Sequence, residues 1–385
     1  MKRLLTIIGA RPQIIKAAAL NRAIRTNFSD RLSEILVHTG QHYDHGMSDV
    51  FFEQMGIPQP HHQLGIGSGG HGEQTGKMLA EIERTILLEK PDAVVVYGDT
   101  NSTLAGALAA VKIHVPVIHI EAGLRSFNKS MPEEVNRITA DHASTLLFSP
   151  TGSGADNLKK EGFLTVEQAR KNGKASVDNS YVFQCGDLMY DNTLFYSKKA
   201  DDHAALFEKH GIDRENYILS TIHRPSNTDD IDVLLGILSA LNEISVSDDI
   251  QIVMPLHPRT ANVIRSSQNA DLEKIRTNER FSIIEPVGFL EMTLLEKHAK
   301  LVMTDSGGVQ KEAFFMKKPC IILRLETEWT EIVDSGCAIL SGSETAKILS
   351  AYRHFSNTPI SNFPNIFGDG KAAEFICEAI LANLD

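Results

Sequence analysis

The chain has 385 residues, 42% of them hydrophobic, and its 38 Lys and Arg against 49 Asp and Glu give a formal charge of −11. This composition is typical of a folded globular protein, and the length predicts two domains that each bury a core. The acidic balance argues against a general nucleic-acid binder, whose affinity depends on neutralising phosphates, but it is compatible with a local basic site for a small phosphorylated ligand.

The sequence predicts neither a secretion signal nor a membrane span. The apolar run near the N-terminus ends at Gly9, and no stretch approaches the roughly 18 apolar residues that a membrane helix needs. The cysteines are far apart and form no CxxC motif, which favours reduced thiols in the cytoplasm over disulfides or a zinc ribbon. They are Cys185, Cys320, Cys337 and Cys377.

Short apolar runs alternate with amphipathic stretches along the whole chain, which predicts parallel sheets covered by helices on both faces. In the first half, strands are predicted at 4–8, 34–38, 93–97 and 115–121, with helices at 11–24, 72–88 and 102–112. In the second half, strands are predicted at 217–223, 250–257, 281–286, 301–305 and 320–324.

The predicted fold class is therefore α/β, with two Rossmann-like domains that face each other across a cleft. The N-terminal domain is expected at 1–180 and the C-terminal domain at 181–366, and a polar stretch at 167–180 is interpreted as a surface excursion near their junction. A last helix, about 367–385, could pack back on the N-terminal domain. Ligands of open α/β sheets bind beyond the carboxyl ends of the strands, where the polar motifs of this sequence fall.

Three such motifs lie in the first half. GARPQIIK (9–16) places Arg11 and Lys16 around a helix start, which favours an anion, although a solvated loop is the alternative. GDTNST (98–103) places Asp99 after an apolar strand but lacks the GK[ST] of a nucleotide-hydrolysing loop, and Asp99 could instead cap the helix. HIEAGLRS (119–126) ends a strand with Glu121, a costly position for an unpaired carboxylate.

MPEEVNR (131–137) adds Glu133 and Arg137 to these acids. Glutamates in a first helical turn also favour the helix dipole, so a purely local role is the alternative. Together Asp99, Glu121 and Glu133 could form a carboxylate cluster for proton transfer.

The second half carries motifs typical of phosphate binding. HRPSN (223–227) and HPRT (257–260) each place a histidine and an arginine at a strand end. TDSGG (304–308) opens a helix with exposed backbone N–H groups, which suits a pyrophosphate, and Ser306 could also simply cap that helix. Glu312 lies early in the same helix and could reach a ribose, and Arg324 follows the next strand.

Two further patterns are weaker. GIGSGG (65–70) matches GxGxxG, but the preceding QPHHQL is not a convincing strand, so a glycine-rich loop is favoured over dinucleotide binding. HTGQHYDH (38–45) gathers metal-binding residue types without the spacing of a zinc helix, so polar loop contacts are favoured over zinc. Its candidate ligands are His38, His42, Asp44 and His45.

In order and spacing, these motifs resemble those of the non-hydrolysing UDP-N-acetylglucosamine 2-epimerase family across residues 3 to 380. The segments that carry the resemblance are GARPQIIK, TGQH, YGDTNSTLAG, HIEAGLRS, PEEVNR, HRPSN, HPRT, TDSGGVQKEA and the late GDG. The resemblance implies the glycosyltransferase-B fold, with a UDP-sugar in the cleft. It also implies a cytoplasmic homodimer without metal or nicotinamide, so no cofactor is expected. The acidic balance and the lack of a long apolar stretch predict no nucleic-acid or membrane partner.

The resemblance also assigns roles to individual residues. It implies Asp99, Glu121, Glu133 and His223 as catalytic residues. It implies that UDP and the substrate are bound by Arg11, Lys16, Arg137, His257, Ser306, Gly307, Gly308, Glu312 and Arg324. The implied reaction inverts C2 through loss of UDP to a 2-acetamidoglycal, followed by re-addition of UDP, in the synthesis of bacterial surface polysaccharide such as the lipopolysaccharide O-antigen.

Several positions depart from the commonest pattern of this family. Gln13 stands where an acid is usual, Val287 replaces a glutamine near the uracil pocket, and Trp329 lies in an altered segment, ETEWTE. These departures are closer to a branch that includes UDP-2,3-diacetamido-2,3-dideoxy-glucuronate 2-epimerases, which gives a second substrate assignment. Three different functions compete with epimerisation: a glycosyltransferase of the same fold, a hydrolysing epimerase and a noncatalytic sugar-nucleotide sensor.

Overall fold

The computed structural model describes residues 1–41, 52, 55–256, 260–261, 263–264 and 269–384. Within it the chain divides into two compact units, Met1–Asn192 with Asn365–Asp385 (unit 1) and Thr193–Pro364 (unit 2). The boundary lies after residue 192 rather than after residue 180, because the strand at 181–184 pairs with the sheet of unit 1.

Unit 1 contains one parallel sheet. Its strands are β1 (Lys2–Ile8), β2 (Leu32–His38), β3 (His62–Gln63), β4 (Ala93–Tyr97), β5 (Val117–Ile120), β6 (Leu146–Ser149) and β7 (Tyr181–Gln184). They are ordered β3-β2-β1-β4-β5-β6-β7. Every residue of the central strand β4 is buried, as its unbroken apolar sequence predicts for a strand covered on both faces.

The helices of unit 1 begin where local sequence signals favour a helix start. They are α1 (Arg11–Asn27), α2 (His71–Glu89), α3 (Asn101–Lys112), α4 (Pro132–His142), α5 (Gly152–Lys160), α6 (Val166–Lys171) and α7 (Leu188–Lys199), which contains the boundary. Thr100 caps α3 by accepting the N–H of Thr103 at 3.3 Å. Met78, Ile82 and Ile86 repeat every fourth residue along α2 and place one face in the core.

Unit 2 repeats the same architecture. Its strands are β8 (Tyr217–Thr221), β9 (Gln251–Pro255), β10 (Phe281–Ile284), β11 (Leu301–Thr304), β12 (Cys320–Ile322) and β13 (Ala338–Leu340), ordered β10-β9-β8-β11-β12-β13 and all parallel. Its helices are α8 (Ala205–His210), α9 (Pro225–Thr228), α10 (Ile231–Asp248), α11 (Ala270–Arg276), α12 (Phe289–His298), α13 (Gly307–Phe315), α14 (Thr330–Asp334) and α15 (Thr345–Asn357). A 3-10 turn, Ala200–His203, precedes α8. The last helix of the chain, α16 (Ala372–Asn383), packs against α1 of unit 1.

The predicted fold class, two parallel α/β domains, is confirmed, but four short strands were not predicted. These are β3, β6, β7 and β13, which have between two and four residues each. The segment QPHHQL does not resemble a strand in sequence, yet its His62 pairs with Val37 of β2. Such short segments carry too few residues for a periodic pattern and become strands because a neighbouring strand offers its free backbone groups.

The order of strands in each sheet determines where ligands can approach. The order reverses between β1 and β4 in unit 1 and between β8 and β11 in unit 2. The loops that leave such a strand pair turn away from each other and open a crevice, the usual ligand position in open α/β sheets. GARPQ and GDTNST follow β1 and β4, whereas HRPSN and TDSGG follow β8 and β11, so each unit brings two of the predicted motifs together. Among the described residues, no helix is long and apolar enough to cross a membrane.

Candidate active site

The first motif of unit 1 is held by the side chain of Gln13. Its Oε1 accepts the N–H groups of Gly9 at 2.8 Å and Ala10 at 3.1 Å, and its Nε2 donates to Tyr97 O at 2.9 Å and Thr103 Oγ1 at 3.0 Å. Gln13 therefore ties the end of β1 to the end of β4. An amide both accepts and donates, whereas an ionised acid only accepts, which gives a physical reason for the glutamine at this position.

Two pairs of a carboxylate and a cation lie at the same end of the sheet. Asp99, which follows β4, pairs with Arg137 of α4, and Glu121, which follows β5, pairs with Lys16 of α1. The two pairs meet at Gly98, where a Cβ would lie 2.9 Å from Glu121 Oε2 and 3.6 Å from Lys16 Nζ. Four of the residues predicted from the sequence are thus brought into one cluster.

Asp99 and Glu121 have different surroundings. Burial raises the pKa of Asp99 above its ordinary value, and nearby Glu121 adds to this effect while Arg137 and Lys16 oppose it. Glu121 is in an ion pair with Lys16, and both side chains are nearly buried. Two neighbouring acids in unequal environments are the arrangement in which one can hold a proton while the other accepts one.

The backbone of Glu121 is also unusual. Its φ of +69° lies in the left-handed region, which costs a residue with a side chain about 1–2 kcal/mol. Such conformations persist where the surrounding structure over-determines them, often at functional sites. Here the turn after β5 directs the Glu121 side chain toward Lys16 and Gly98.

The two glutamates of PEEVNR have different positions. Glu133, the predicted catalytic residue, lies exposed in the first turn of α4. Glu134 is buried, and its carboxylate accepts the N–H groups of Ser126 and Phe127, both at 2.9 Å, and contacts Arg137 at 3.2 Å. Glu134 therefore holds the loop before α4 and the arginine that pairs with Asp99, a role the sequence analysis did not assign to it.

The basic residues of unit 1 differ in their exposure and in their partners. Arg11 is exposed at the start of α1, whereas Lys16 is buried. The side chain of Arg125, in the HIEAGLRS motif, is only 1% exposed and pairs with Asp141 and Glu161, each at 2.7 Å. Arg125 is therefore part of an internal network, because its partners on neighbouring elements are acids that sequence spacing does not reveal.

In unit 2, the buried carboxylate of Asp305 organises the ends of β8 and β11. It accepts the backbone N–H of His223 at 3.0 Å, that of Arg224 at 2.9 Å and the amide of Asn227 at 3.1 Å. His223 Nδ1 lies 3.2 Å from Asp305 Oδ1, so the imidazole is oriented as well. Asp305 had no predicted role, although a carboxylate directly after a buried strand is the signal that singled out Glu121.

The predicted phosphate-binding turn forms the start of α13. Ser306 caps the helix by accepting the N–H of Val309 at 3.5 Å, and Gly307 and Gly308 provide the first turn. A Cβ on Gly307 would lie 3.4 Å from Glu328 Oε2, and Glu328 in turn binds Arg324 through two hydrogen bonds of 2.9 and 3.1 Å. The helix start, His223 and Arg324 therefore belong to one end of the unit 2 sheet.

Glu312, the predicted ribose contact, lies beside a second acid. Burial raises the pKa of Glu296 of α12 well above its ordinary value, and its hydrogen bond with Glu312 and the charge of Glu312 raise it further. Glu296 is 2% exposed. A protonated Glu296 can therefore donate to Glu312 and leave Glu312 as an acceptor.

Several predicted residues lie outside the described part of the chain. These are His257 and Arg259 of HPRT and His42, Asp44 and His45 of the histidine-rich segment. His38 of that segment is buried, accepts the N–H of Gly40 at 3.1 Å, and has its pKa lowered to about 4 by burial. Within the described residues, no group of three or more His, Cys, Asp or Glu is placed to hold a metal ion.

Comparisons with known proteins agree over nearly the whole chain. The family model of UDP-N-acetylglucosamine 2-epimerase matches residues 25–381. A UDP-2,3-diacetamido-2,3-dideoxy-D-glucuronate 2-epimerase from Pseudomonas aeruginosa is 49% identical over 98% of this chain and 98% of its own. A UDP-N-acetylglucosamine 2-epimerase from Methanocaldococcus jannaschii is 43% identical over 97% of both chains.

The fold is also similar to solved structures. The Methanocaldococcus jannaschii UDP-GlcNAc 2-epimerase in complex with UDP-GlcNAc and UDP superposes with a TM-score of 0.80 and 41% identity, and 99% of each chain is covered.

Proposed function

The chain belongs to the UDP-N-acetylglucosamine 2-epimerase family, and from this premise we propose that it inverts C2 of a UDP-2-acetamido sugar, as in the conversion of UDP-N-acetylglucosamine to UDP-N-acetylmannosamine. The observation that carries the proposal is the cluster at the switch point of unit 1. There Asp99 and Glu121 lie next to each other with separate cations and unequal environments.

The chemistry explains why two carboxylates are useful. The C2 proton of the sugar is not acidic, so its simple removal would leave a poorly stabilised carbanion. In the proposed route a base takes the C2 proton while the C1–O bond breaks and UDP leaves with its electron pair, which gives a 2-acetamidoglycal. UDP then adds back to C1 as an acid delivers a proton to the opposite face of C2, so no atom is lost overall.

Asp99 and Glu121 are the proposed proton-transfer groups. The ion pair with Lys16 leaves Glu121 a carboxylate that can accept a proton, and burial, which raises the pKa of Asp99, makes Asp99 the better proton donor of the two. Arg137, held by Glu134, orients Asp99. Glu133 is retained as a third candidate, because its exposed position is open to a substrate.

The proposed phosphate-binding groups belong to unit 2. The start of α13 at Ser306, Gly307 and Gly308 suits the diphosphate of the departing UDP through the backbone N–H groups of the two glycines, whereas the N–H of Ser306 donates to Thr304 Oγ1 at 2.9 Å. His223, oriented by Asp305, supplies a further donor to that leaving group.

Other contacts to UDP are assigned to residues around these groups. Arg324 is proposed to contribute charge to the diphosphate, and Glu312 to bind the ribose hydroxyls. Arg11 of unit 1 and His257 complete the proposed contacts to UDP.

Incubation of the purified chain with UDP-N-acetylglucosamine alone, in deuterated water, tests the reaction. We expect a C2 epimer that carries deuterium at C2, without net release of UDP. An epimer without deuterium would contradict proton exchange at C2. Accumulation of free sugar and UDP would indicate a hydrolysing epimerase, and turnover that requires an added acceptor would indicate a glycosyltransferase.

A second substrate assignment is favoured by a specific observation. The Pseudomonas aeruginosa relative named for UDP-2,3-diacetamido-2,3-dideoxy-D-glucuronate is 49% identical, against 43% for the Methanocaldococcus jannaschii relative named for UDP-N-acetylglucosamine. Both substrates carry the C2 acetamido group that the proposed reaction needs. Measuring kcat/KM for each under the same conditions decides between them, and a ratio above about 100, or about 2.7 kcal/mol, would identify the preferred substrate.

We also propose a cytoplasmic homodimer that supplies precursors of a surface polysaccharide. The dimer and the location are carried over from the family resemblance. The role in polysaccharide synthesis also agrees with the proposed isomerisation of a nucleotide sugar. The mass of the purified chain in solution, measured by light scattering, tests the dimer. A mass close to the 42.4 kDa of one chain would contradict it.

A further inference from the structure

His119 of β5 is buried beneath the carboxylate cluster and is not itself among the predicted site residues. Its side chain has no solvent exposure. Nε2 lies 2.8 Å from the carbonyl oxygen of Gly98, and Nδ1 lies 2.7 Å from Asp141 Oδ1. The imidazole thus connects the turn that carries Asp99 to an internal carboxylate.

The partners of the two ring nitrogens determine where the protons lie. A carbonyl oxygen only accepts hydrogen bonds, so Nε2 must donate to Gly98. An ionised carboxylate also only accepts, so Nδ1 donates to Asp141 as long as Asp141 is charged. Asp141 Oδ2 accepts the N–H of Gly123 at 3.2 Å and contacts the guanidinium of Arg125 at 2.7 Å, and both contacts favour its ionised form.

The hydrogen bonds around Asp141 favour an imidazolium at His119. Arg125 pairs with Asp141 and also with Glu161, whose two oxygens accept from Nε and Nη2 of the arginine, both at 2.7 Å. Glu161 is 28% exposed and also lies 3.6 Å from His142 Nε2, whereas Asp141 is fully buried between Arg125 and His119. In the buried part of the network, Asp141 therefore accepts hydrogen bonds on both oxygens and keeps its charge, which leaves the proton between it and His119 on the imidazole.

The hydrogen bond between His119 and the Gly98 carbonyl restrains the backbone next to Asp99, the proposed catalytic residue. The carbonyl of Gly98 belongs to the peptide that precedes Asp99, and the carbonyl of Asp99 accepts the amide of Asn136 at 2.9 Å. The peptides on both sides of Asp99 are therefore held, one by His119 and the other by Asn136. This fixes the direction in which the Asp99 side chain leaves the turn.

We infer that His119 is a positioning residue for the C2 proton transfer, because its doubly protonated ring, held by Asp141, fixes the Gly98 carbonyl and with it the orientation of Asp99. This inference rests on the proposed function only where it concerns turnover. The proton positions in His119 are a property of the folded chain alone.

Two substitutions of His119 separate the bond to Gly98 from the bond to Asp141. A glutamine amide nitrogen reaches the position of Nε2 and can donate to Gly98, whereas an asparagine amide reaches only the position of Nδ1. We expect His119→Asn to lower kcat by 10- to about 100-fold and His119→Gln to stay within about fivefold of the unchanged chain. The Kd for UDP should stay within about twofold in both variants, because the groups assigned to the diphosphate belong to unit 2.

Failure of the positioning role and failure of the proposed function give different results. A folded His119→Asn variant with unchanged kcat, or equal losses in both variants, would overturn the positioning role. If the unchanged chain does not epimerise any UDP-2-acetamido sugar, the proposed function fails. In that case nuclear magnetic resonance still tests His119 itself.

Nuclear magnetic resonance of the unchanged chain, with 15N-labelled histidine at pH 7.5, provides this independent readout. We expect protons on both ring nitrogens of one buried imidazole, with signals that disappear in His119→Gln. A single protonated nitrogen assigned to His119 would overturn the imidazolium.

Discussion

Replacing Gly98 by alanine tests whether the position of Glu121 governs catalysis. Gly98 has a φ of +62°, and a Cβ there would lie 2.9 Å from Glu121 Oε2 and 3.6 Å from Lys16 Nζ. The new methyl group would therefore press on the ion pair of Glu121 and Lys16, while no functional atom is removed. Any loss of activity must then come from displacement.

The magnitude follows from the geometry. Ordinary van der Waals contact begins near 3.4 Å, so the carboxylate must retreat by about half an ångström. Misplacing a catalytic group by about 1 Å costs up to about 100-fold, and half that displacement predicts a kcat lower by about tenfold, or about 1.4 kcal/mol. The left-handed backbone adds about 1–2 kcal/mol of destabilisation and the overpacking about 1–3 kcal/mol.

Gly211→Ala is the matched control. Gly211 has a φ of +59°, nearly that of Gly98, but a Cβ there would have no atom within 4 Å. Both variants should lower the melting temperature, whereas only Gly98→Ala should lower kcat, measured from the initial rate of epimer formation at saturating substrate. A Gly98→Ala variant whose kcat stays within about twofold of the unchanged chain would refute the assignment of Glu121 as a proton-transfer group.

Three other substitutions test the supporting residues. Asp305→Asn replaces an acceptor of N–H groups by an amide and should raise the Kd for UDP about tenfold by releasing His223, which calorimetric titration measures; unchanged binding would refute this role. Glu134→Gln should lower the free energy of unfolding by about 1–3 kcal/mol in urea and reduce kcat through Arg137, and an unaffected kcat would separate that arginine from catalysis. Burial raises the pKa of Asp191 to about 7, so the folded chain keeps a proton that the unfolded chain loses above about pH 4. The unchanged chain should therefore lose stability relative to Asp191→Asn as the pH rises from about 4 to 7, and parallel pH profiles would contradict this.

The sequence alone was sufficient for the fold class and for the ends of the sheets at which chemistry occurs. Apolar runs such as 93–97 are local signals, because a strand buried on both faces needs an unbroken apolar sequence wherever it lies in the chain. The polar residues that follow such runs, Asp99 and Glu121 among them, must lie at the carboxyl edge of the sheet, because that is where the chain leaves each strand. Their gathering into one cluster follows from the parallel order of the strands.

Only the tertiary structure decided which charged residues face a ligand and which hold the fold. Arg125 and Arg137 both lie between β5 and β6 in the chain, yet Arg125 is buried against Asp141 and Glu161 while Arg137 reaches Asp99. Asp305 and the strand at 181–184 likewise depend on partners far away in the chain. The physical reason is that an ion pair or a strand pairing depends on two distant segments meeting, and a local pattern describes only one of them.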